Sequence, residues 1–215
     1  MQRDRLTITL DHDLLSGIDQ LVDKETVRNR SQAIEHLLRE GLGLHQLRQA
    51  FLFLEDGFWP NSLETALSRS AGVGVQKLYL VLPGGAAGNE EVMSVIRQFC
   101  QTTGSVFEVE TVPAEFGSGG ALLFKKEVLD QPFLLFWPGS DLKLPDSLLK
   151  AYLFHRRQAS GATLLLKNVE SAYRFSGCAI GGPELIPYIP AGVSSLPETV
   201  FPQLLKDARI KAYLF

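Results

Sequence analysis

Residues 4–10, Asp-Arg-Leu-Thr-Ile-Thr-Leu, alternate polar and apolar with a period of two, which predicts a half-buried strand. Leu6, Ile8 and Leu10 fall on one face of that strand and Arg5, Thr7 and Thr9 on the other. From Asp11, a good N-cap, the period changes, and Leu14, Leu15, Ile18, Leu21 and Val22 recur at helical spacing. Val27-Arg28-Asn29-Arg30 reads as a turn and Ser31 as a second N-cap. Ile34, Leu37, Leu38 and Leu42 then line one face of a second helix. Gly41 and Gly43 weaken that helix and mark a joint.

One strand and two short helices make too small a core to stand alone, and a single strand has two unpaired edges. A symmetric partner solves both problems by pairing the strands antiparallel and burying the leucine and isoleucine faces together. The expected product is a two-stranded ribbon that displays Arg5, Thr7 and Thr9 twice on its outer face.

Beyond residue 49 strands alternate with helices, an α/β pattern. Residues 50–54 read as a short buried strand, or as the tail of a helix begun near Leu44. Asn61-Ser62 can cap a helix through Leu67, Lys77–Leu82 is a strand, and Asn89–Cys100 is a helix. A strand over 106–112, a helix over 119–129, an apolar central strand over 133–137 and a helix over 145–159 follow. Strands over 162–166 and 176–180, a helix over 196–205 and a last strand over 210–214 complete the pattern.

Composition narrows the class without naming a function. Hydrophobic residues make up 45% and charged residues 21%, values of an ordinary cored protein rather than a disordered or fibrous one. Cys100 and Cys178 are too few for a disulfide framework and lack the clustering of a zinc site. No run approaches the roughly 20 apolar residues of a membrane span, and the start, MQRDRLTITLDHD, lacks the apolar region of a signal peptide. The expected location is cytoplasmic. Net charge is −3, and residues 1–48 carry 7 basic and 8 acidic side chains, so bulk charge argues for no polyanionic partner. DNA binding needs only a local basic patch, and the positions of the arginines decide the matter.

The order of these elements and the segments Arg5-Leu-Thr-Ile-Thr-Leu10, Asp11 and Arg30-Ser-Gln-Ala-Ile34 resemble the ribbon-helix-helix family of bacterial DNA-binding proteins, over roughly residues 3–43. The resemblance implies a domain over 1–44 that dimerises, inserts its ribbon into the major groove and anchors the start of its second helix on a phosphate. The implied DNA-binding residues are Arg3, Arg5, Thr7, Thr9, Arg28, Arg30 and Ser31. The chemistry agrees. A two-stranded ribbon fits the major groove, arginine reads guanine O6 and N7 bidentately, and threonine offers a hydroxyl and a methyl to base edges. A helix N-terminus presents free N–H groups to a phosphate oxygen, flanked here by Arg28 and Arg30.

Residues 49–215 resemble the sugar-1-phosphate nucleotidyltransferases, with their Rossmann-like nucleotide-diphospho-sugar transferase fold. The matching segments are Phe116-Gly-Ser-Gly-Gly-Ala-Leu-Leu123, Phe133-Leu-Leu-Phe-Trp-Pro-Gly-Ser-Asp141, and His155 followed by Gly161-Ala-Thr-Leu164. Tyr188-Ile-Pro190, Thr199–Leu205 and Lys211–Phe215 continue the series. The departures matter more. The family's Gly-rich phosphate loop with its basic residue is replaced by Glu55-Asp-Gly-Phe-Trp-Pro60, which carries two carboxylates and repels phosphate. The family's Glu-Lys-Pro segment is absent between Val169 and Ser176, and its final Asp would fall beyond Phe215. Only Asp141 stands where the resemblance implies a magnesium ligand. Pyrophosphoryl exchange depends on its charge-neutralising clamp, so no catalytic residue, metal site or cofactor is expected.

Gly117, Ser118, Gly119 and Gly120, which in the family lie against the nucleotide base, remain with Asp141 as candidate ligand contacts. Pro83–Asn89 lacks the order of a P-loop or dinucleotide loop and reads as structural. His155-Arg156-Arg157 reads as a solvated helix face. The sequence therefore supports a dimeric, sequence-specific DNA-binding regulator, an α/β chain whose second domain is a degenerate nucleotidyltransferase fold used for effector sensing or assembly. Its expected partners are double-stranded DNA, a second copy or a higher oligomer, and a nucleotide or sugar-nucleotide effector, with no membrane. An active nucleotidyltransferase carrying a DNA-binding module is the alternative. An antitoxin with a toxin-masking C-terminus ranks last, because such tails are commonly short and disordered.

Overall fold

Asp11 begins the first helix. Its carboxylate accepts the Leu14 N–H at 2.8 Å, capping α1 (His12–Gln20). The second helix, α2 (Arg30–Gly41), is capped by Asn29 rather than Ser31: Asn29 Oδ1 accepts the Gln32 N–H at 3.0 Å. The cap moves two residues upstream because asparagine accepts from the third helical N–H as well as serine does, and it comes first in the chain. The computed structural model describes residues 7–22, 28–41, 47–54, 59–82, 86–139, 142–158 and 160–215. The chain divides into two compact units, Met1–His45 and Gln46–Phe215.

Residues 7–10 belong to no strand of the single chain, and 4–6 lie outside the described residues. A strand is held by its ladder, and the described residues of one copy offer 7–10 none. Within this unit Ile18 and Ala33 are buried, while Ile8 is 48% exposed and Leu14 and Leu38 are each 58% exposed. The helical periodicity is therefore real, but much of the apolar face it creates is uncovered in one copy.

In the second unit the runs of apolar residues form a mixed sheet. Its strands are β1 (Gln49–Phe53), β2 (Lys77–Leu82), β3 (Glu108–Pro113), β4 (Phe133–Phe136), β5 (Ala162–Val169), β6 (Ala172–Gly181) and β7 (Ile210–Leu214). They lie in the order β3-β2-β1-β4-β6-β5-β7. β1, β2, β3 and β4 run parallel, β6 is antiparallel to both β4 and β5, and β7 is parallel to β5. Alternate residues of β1 serve opposite layers. Ala50 and Leu52 pack with Leu63, Leu67, Leu80, Phe136 and Tyr152, whereas Phe51 and Phe53 pack with Tyr79, Leu122, Leu135 and Phe201. A strand buried on both faces reads as a continuous apolar run, which is why β2 and β4 were evident without alternation and why β1 could also be read as the tail of a helix.

The helices are α3 (Pro60–Gly72), α4 (Ala86–Thr103), α5 (Gly117–Phe124), α6 (Leu148–Gln158) and α7 (Phe201–Lys206). α3 starts on Pro60 at its first position, where the missing N–H does no harm, and not on an Asn61-Ser62 cap. The Ser62 hydroxyl instead donates to the Gly139 carbonyl at 2.7 Å. α5 ends at Phe124, and the expected continuation to 129 is a separate 3₁₀ turn over Lys126–Val128. α6 begins three residues after Pro145, with Ser147 Oγ facing the Lys150 N–H at 3.4 Å. Residues 196–200 form a π turn that runs into α7. The strand expected over 176–180 begins at Ala172, because Glu170 (φ 48°) and Ser171 (φ 71°) close a two-residue hairpin from Val169.

His155 is not on a solvated face. It is buried on α6, with Nδ1 2.9 Å from Thr163 Oγ1, while Arg156 and Arg157 are exposed. Ser160 Oγ lies 3.4 Å from the same Thr163 hydroxyl. Burial pushes the imidazole pKa down to about 4, against a smaller upward pull from Glu184. Both cysteines are free thiols.

Candidate nucleic-acid interface

At the start of α2, Asn29 and Gln32 hold each other. Asn29 Oδ1 accepts the Gln32 N–H, and Gln32 Oε1 accepts the Arg28 N–H at 2.8 Å. This is a capping box shifted back by one residue at one end. It fixes where the helix begins and brings Arg28, Arg30 and Ser31 together, all exposed. The N–H groups of Arg30 and Ser31 are the first two of the helix, beyond reach of any intrahelical carbonyl. They add a partial positive charge to two guanidinium groups.

Arg30 is held from the other helix. Its Nε and Nη2 lie 2.5 and 2.7 Å from Asp19 Oδ1 and Oδ2, a two-pronged pair between α2 and α1. The bond to Asp19 raises the guanidinium pKa, and the reciprocal bond lowers that of the carboxyl. Thr7 and Thr9 are exposed ahead of α1. Arg3 and Arg5 lie outside the described residues. The sequence reading overlooked Asn29, Gln32 and Asp19. The Asn-x-x-Gln spacing could have revealed the cap, whereas Asp19, eleven residues before Arg30, leaves no local signal.

In the second unit, the chain leaves β1 toward β2 and β3 on one side and returns to β4 on the other. That reversal falls between β1 and β4, and sheets of this kind usually bind ligands outside the carboxyl ends of the strands at such a point. Near it, aromatic rings pack into the core on one face of the sheet. Trp137 stacks on Phe53 at 4.7 Å between centroids and meets the edges of Phe175 at 5.5 Å and Phe201 at 6.2 Å. Asp141 lies outside the described residues.

Gly117–Gly120 forms the first turn of α5, and Ser118, Gly119 and Gly120 are buried. The Gly119 N–H donates to the Ser194 carbonyl at 2.8 Å, and the Ser118 hydroxyl accepts the Leu196 N–H at 2.9 Å. A Cβ on Gly117 would stand 2.5 Å from the Ser194 carbonyl oxygen, and one on Gly119 would overlap Ser194 Oγ. The space these glycines leave is thus filled by the 192–196 loop. Gly117 also has φ 68° and ψ −179°, a region open essentially to glycine alone. Gly117→Ala should therefore lower stability by about 3 kcal/mol or more, read as a fall in the urea midpoint at unchanged slope.

Among the described residues, no group of three or more His, Cys, Asp or Glu side chains is placed to hold a metal ion. Among them, no helix is long and apolar enough to cross a membrane.

Residues 4–44 match the family described as ribbon-helix-helix protein, copG family. No curated protein matches the chain. The chain thus carries a ribbon-helix-helix segment followed by a mixed α/β domain. Ribbon-helix-helix proteins bind DNA and are typically dimeric.

Proposed function

We propose that the chain is a dimeric, sequence-specific DNA-binding transcriptional regulator whose second unit is a catalytically silent nucleotidyltransferase-like domain. The observation that carries the first part is the capped start of α2. Arg28, Arg30 and Ser31 stand there together, exposed, inside a segment that matches a family of DNA-binding proteins. The uncovered Ile8, Leu14, Leu21, Leu37 and Leu38 side chains support a second copy, which would bury them while pairing residues 4–10 into a ribbon. Thr7 and Thr9, with Arg5, then face the base edges and the helix starts face the phosphates.

The second part rests on the sequence departures and on packing. The acidic Glu55-Asp56 segment follows β1, and the 117–120 turn is filled by the protein's own loop rather than left open to a nucleotide. A two-residue hairpin joins Val169 to Ala172 where the family's lysine segment would stand. The domain then serves effector sensing or assembly.

Selection of the full chain against random duplexes tests the reading. The expected result is an enriched two-fold symmetric sequence, bound with a salt dependence of roughly 0.9 log units of slope per phosphate contact. Failure to enrich any sequence would overturn the regulator. Pyrophosphate release from a panel of nucleoside triphosphates and sugar phosphates should be absent, and turnover of any pair would reinstate an enzyme.

A further inference from the structure

The Asp19–Arg30 pair ties up the guanidinium carried by the first residue of α2. Both Nε and Nη2 are used, and these are the donors a guanidinium would turn toward a phosphate in a two-pronged contact. While the pair is closed, the helix start carries one positive charge fewer, and a carboxylate lies beside the surface that would approach a polyanion. The side chains are 58% and 44% exposed, so the pair is weak and readily exchanged. A phosphodiester is the same class of acceptor as the carboxylate, so the two compete for the same N–H groups.

We infer that Asp19 is a built-in brake on DNA binding, holding Arg30 in the free protein until a backbone phosphate displaces it. The inference rests on the DNA-binding reading above and adds a residue outside the expected contact set. Its effect is independent of sequence, because it acts on phosphate affinity and not on base readout.

The test is fluorescence anisotropy of the full-length protein on a labelled mixed-sequence 30-base-pair duplex, from about 0.05 to 0.2 M salt. The variants are Asp19→Asn, Arg30→Gln and the double substitution. Opening two weak pairs per dimer predicts that Asp19→Asn tightens binding by about 2- to 30-fold. The gain should vanish in the Arg30→Gln background, which separates release of Arg30 from a mere change in net charge. Asp19→Gln, a better helix former, repeats the measurement if helix content falls in Asp19→Asn.

Unchanged or weaker binding by the Asp19 variants, or an equal gain without Arg30, would overturn the brake and leave the DNA-binding reading standing. Absence of binding by the wild-type chain at the lowest salt would overturn both.

Discussion

Arg5→Ala together with Thr7→Ala should abolish selection of the operator while leaving a folded dimer. Each arginine–guanine pair is worth about 1–3 kcal/mol of discrimination, and a two-fold dimer presents two, so about 2–6 kcal/mol is at stake. That range corresponds to a loss of about 30-fold to more than 10⁴-fold in affinity for the selected sequence. Non-specific affinity should fall much less, since Arg28 and Arg30 remain. Both replaced side chains lie on the polar face of the 4–10 pattern, opposite Leu6, Ile8 and Leu10, so mass and helix content should not change. Persistence of the same enriched sequence with the double variant would show that the reading face has been misassigned.

Acid should destabilise the second unit through His155, its sole histidine. Above pH 6.5 the imidazole is neutral in both folded and unfolded chains, and the group contributes no pH dependence. Below 6.5 the unfolded chain takes up a proton that the buried ring resists down to about pH 4, so stability falls as pH falls. The integrated loss across that window is about 3 kcal/mol. Glu110, whose pKa is lowered by Lys125 and then Lys77, begins to lose its partners' support only below its ordinary value of 4.5, leaving most of the window to His155. Urea unfolding followed by Trp59 and Trp137 fluorescence at pH 7.5, 5.5 and 4.5 checks this. His155→Gln keeps a polar partner for Thr163 and should flatten the profile. An unchanged slope in that variant would assign the acid sensitivity elsewhere.

The sequence made the sheet legible wherever a strand is buried on both faces. Lys77–Leu82 was bounded to the residue, since an apolar run of that length between turn residues admits little else. Ile210–Leu214, a half-exposed edge strand, was bounded equally well by its alternation. Helix starts were less legible. Ser31, Asn61 and Gly119 each looked like a plausible beginning, and in each case a residue slightly upstream won: Asn29 by its side-chain bond, Pro60 by its fixed φ, Gly117 by a conformation closed to other residues. The hairpin at Glu170-Ser171 escaped notice because neither residue favours positive φ, so nothing announced a turn. At the candidate interface the exposed arginines and threonines could be read from alternation and turn chemistry. The Asp19–Arg30 pair could not, because it depends on how two helices meet.

The uncovered leucines of α1 and α2 have a quantitative consequence in the cell. If only the paired form is competent to grip DNA, operator occupancy at low abundance scales with the square of chain concentration. Halving expression would then cut occupancy about fourfold. Under the proposed role, occupancy would thus fall more steeply than abundance as growth dilutes the protein, with no small molecule involved.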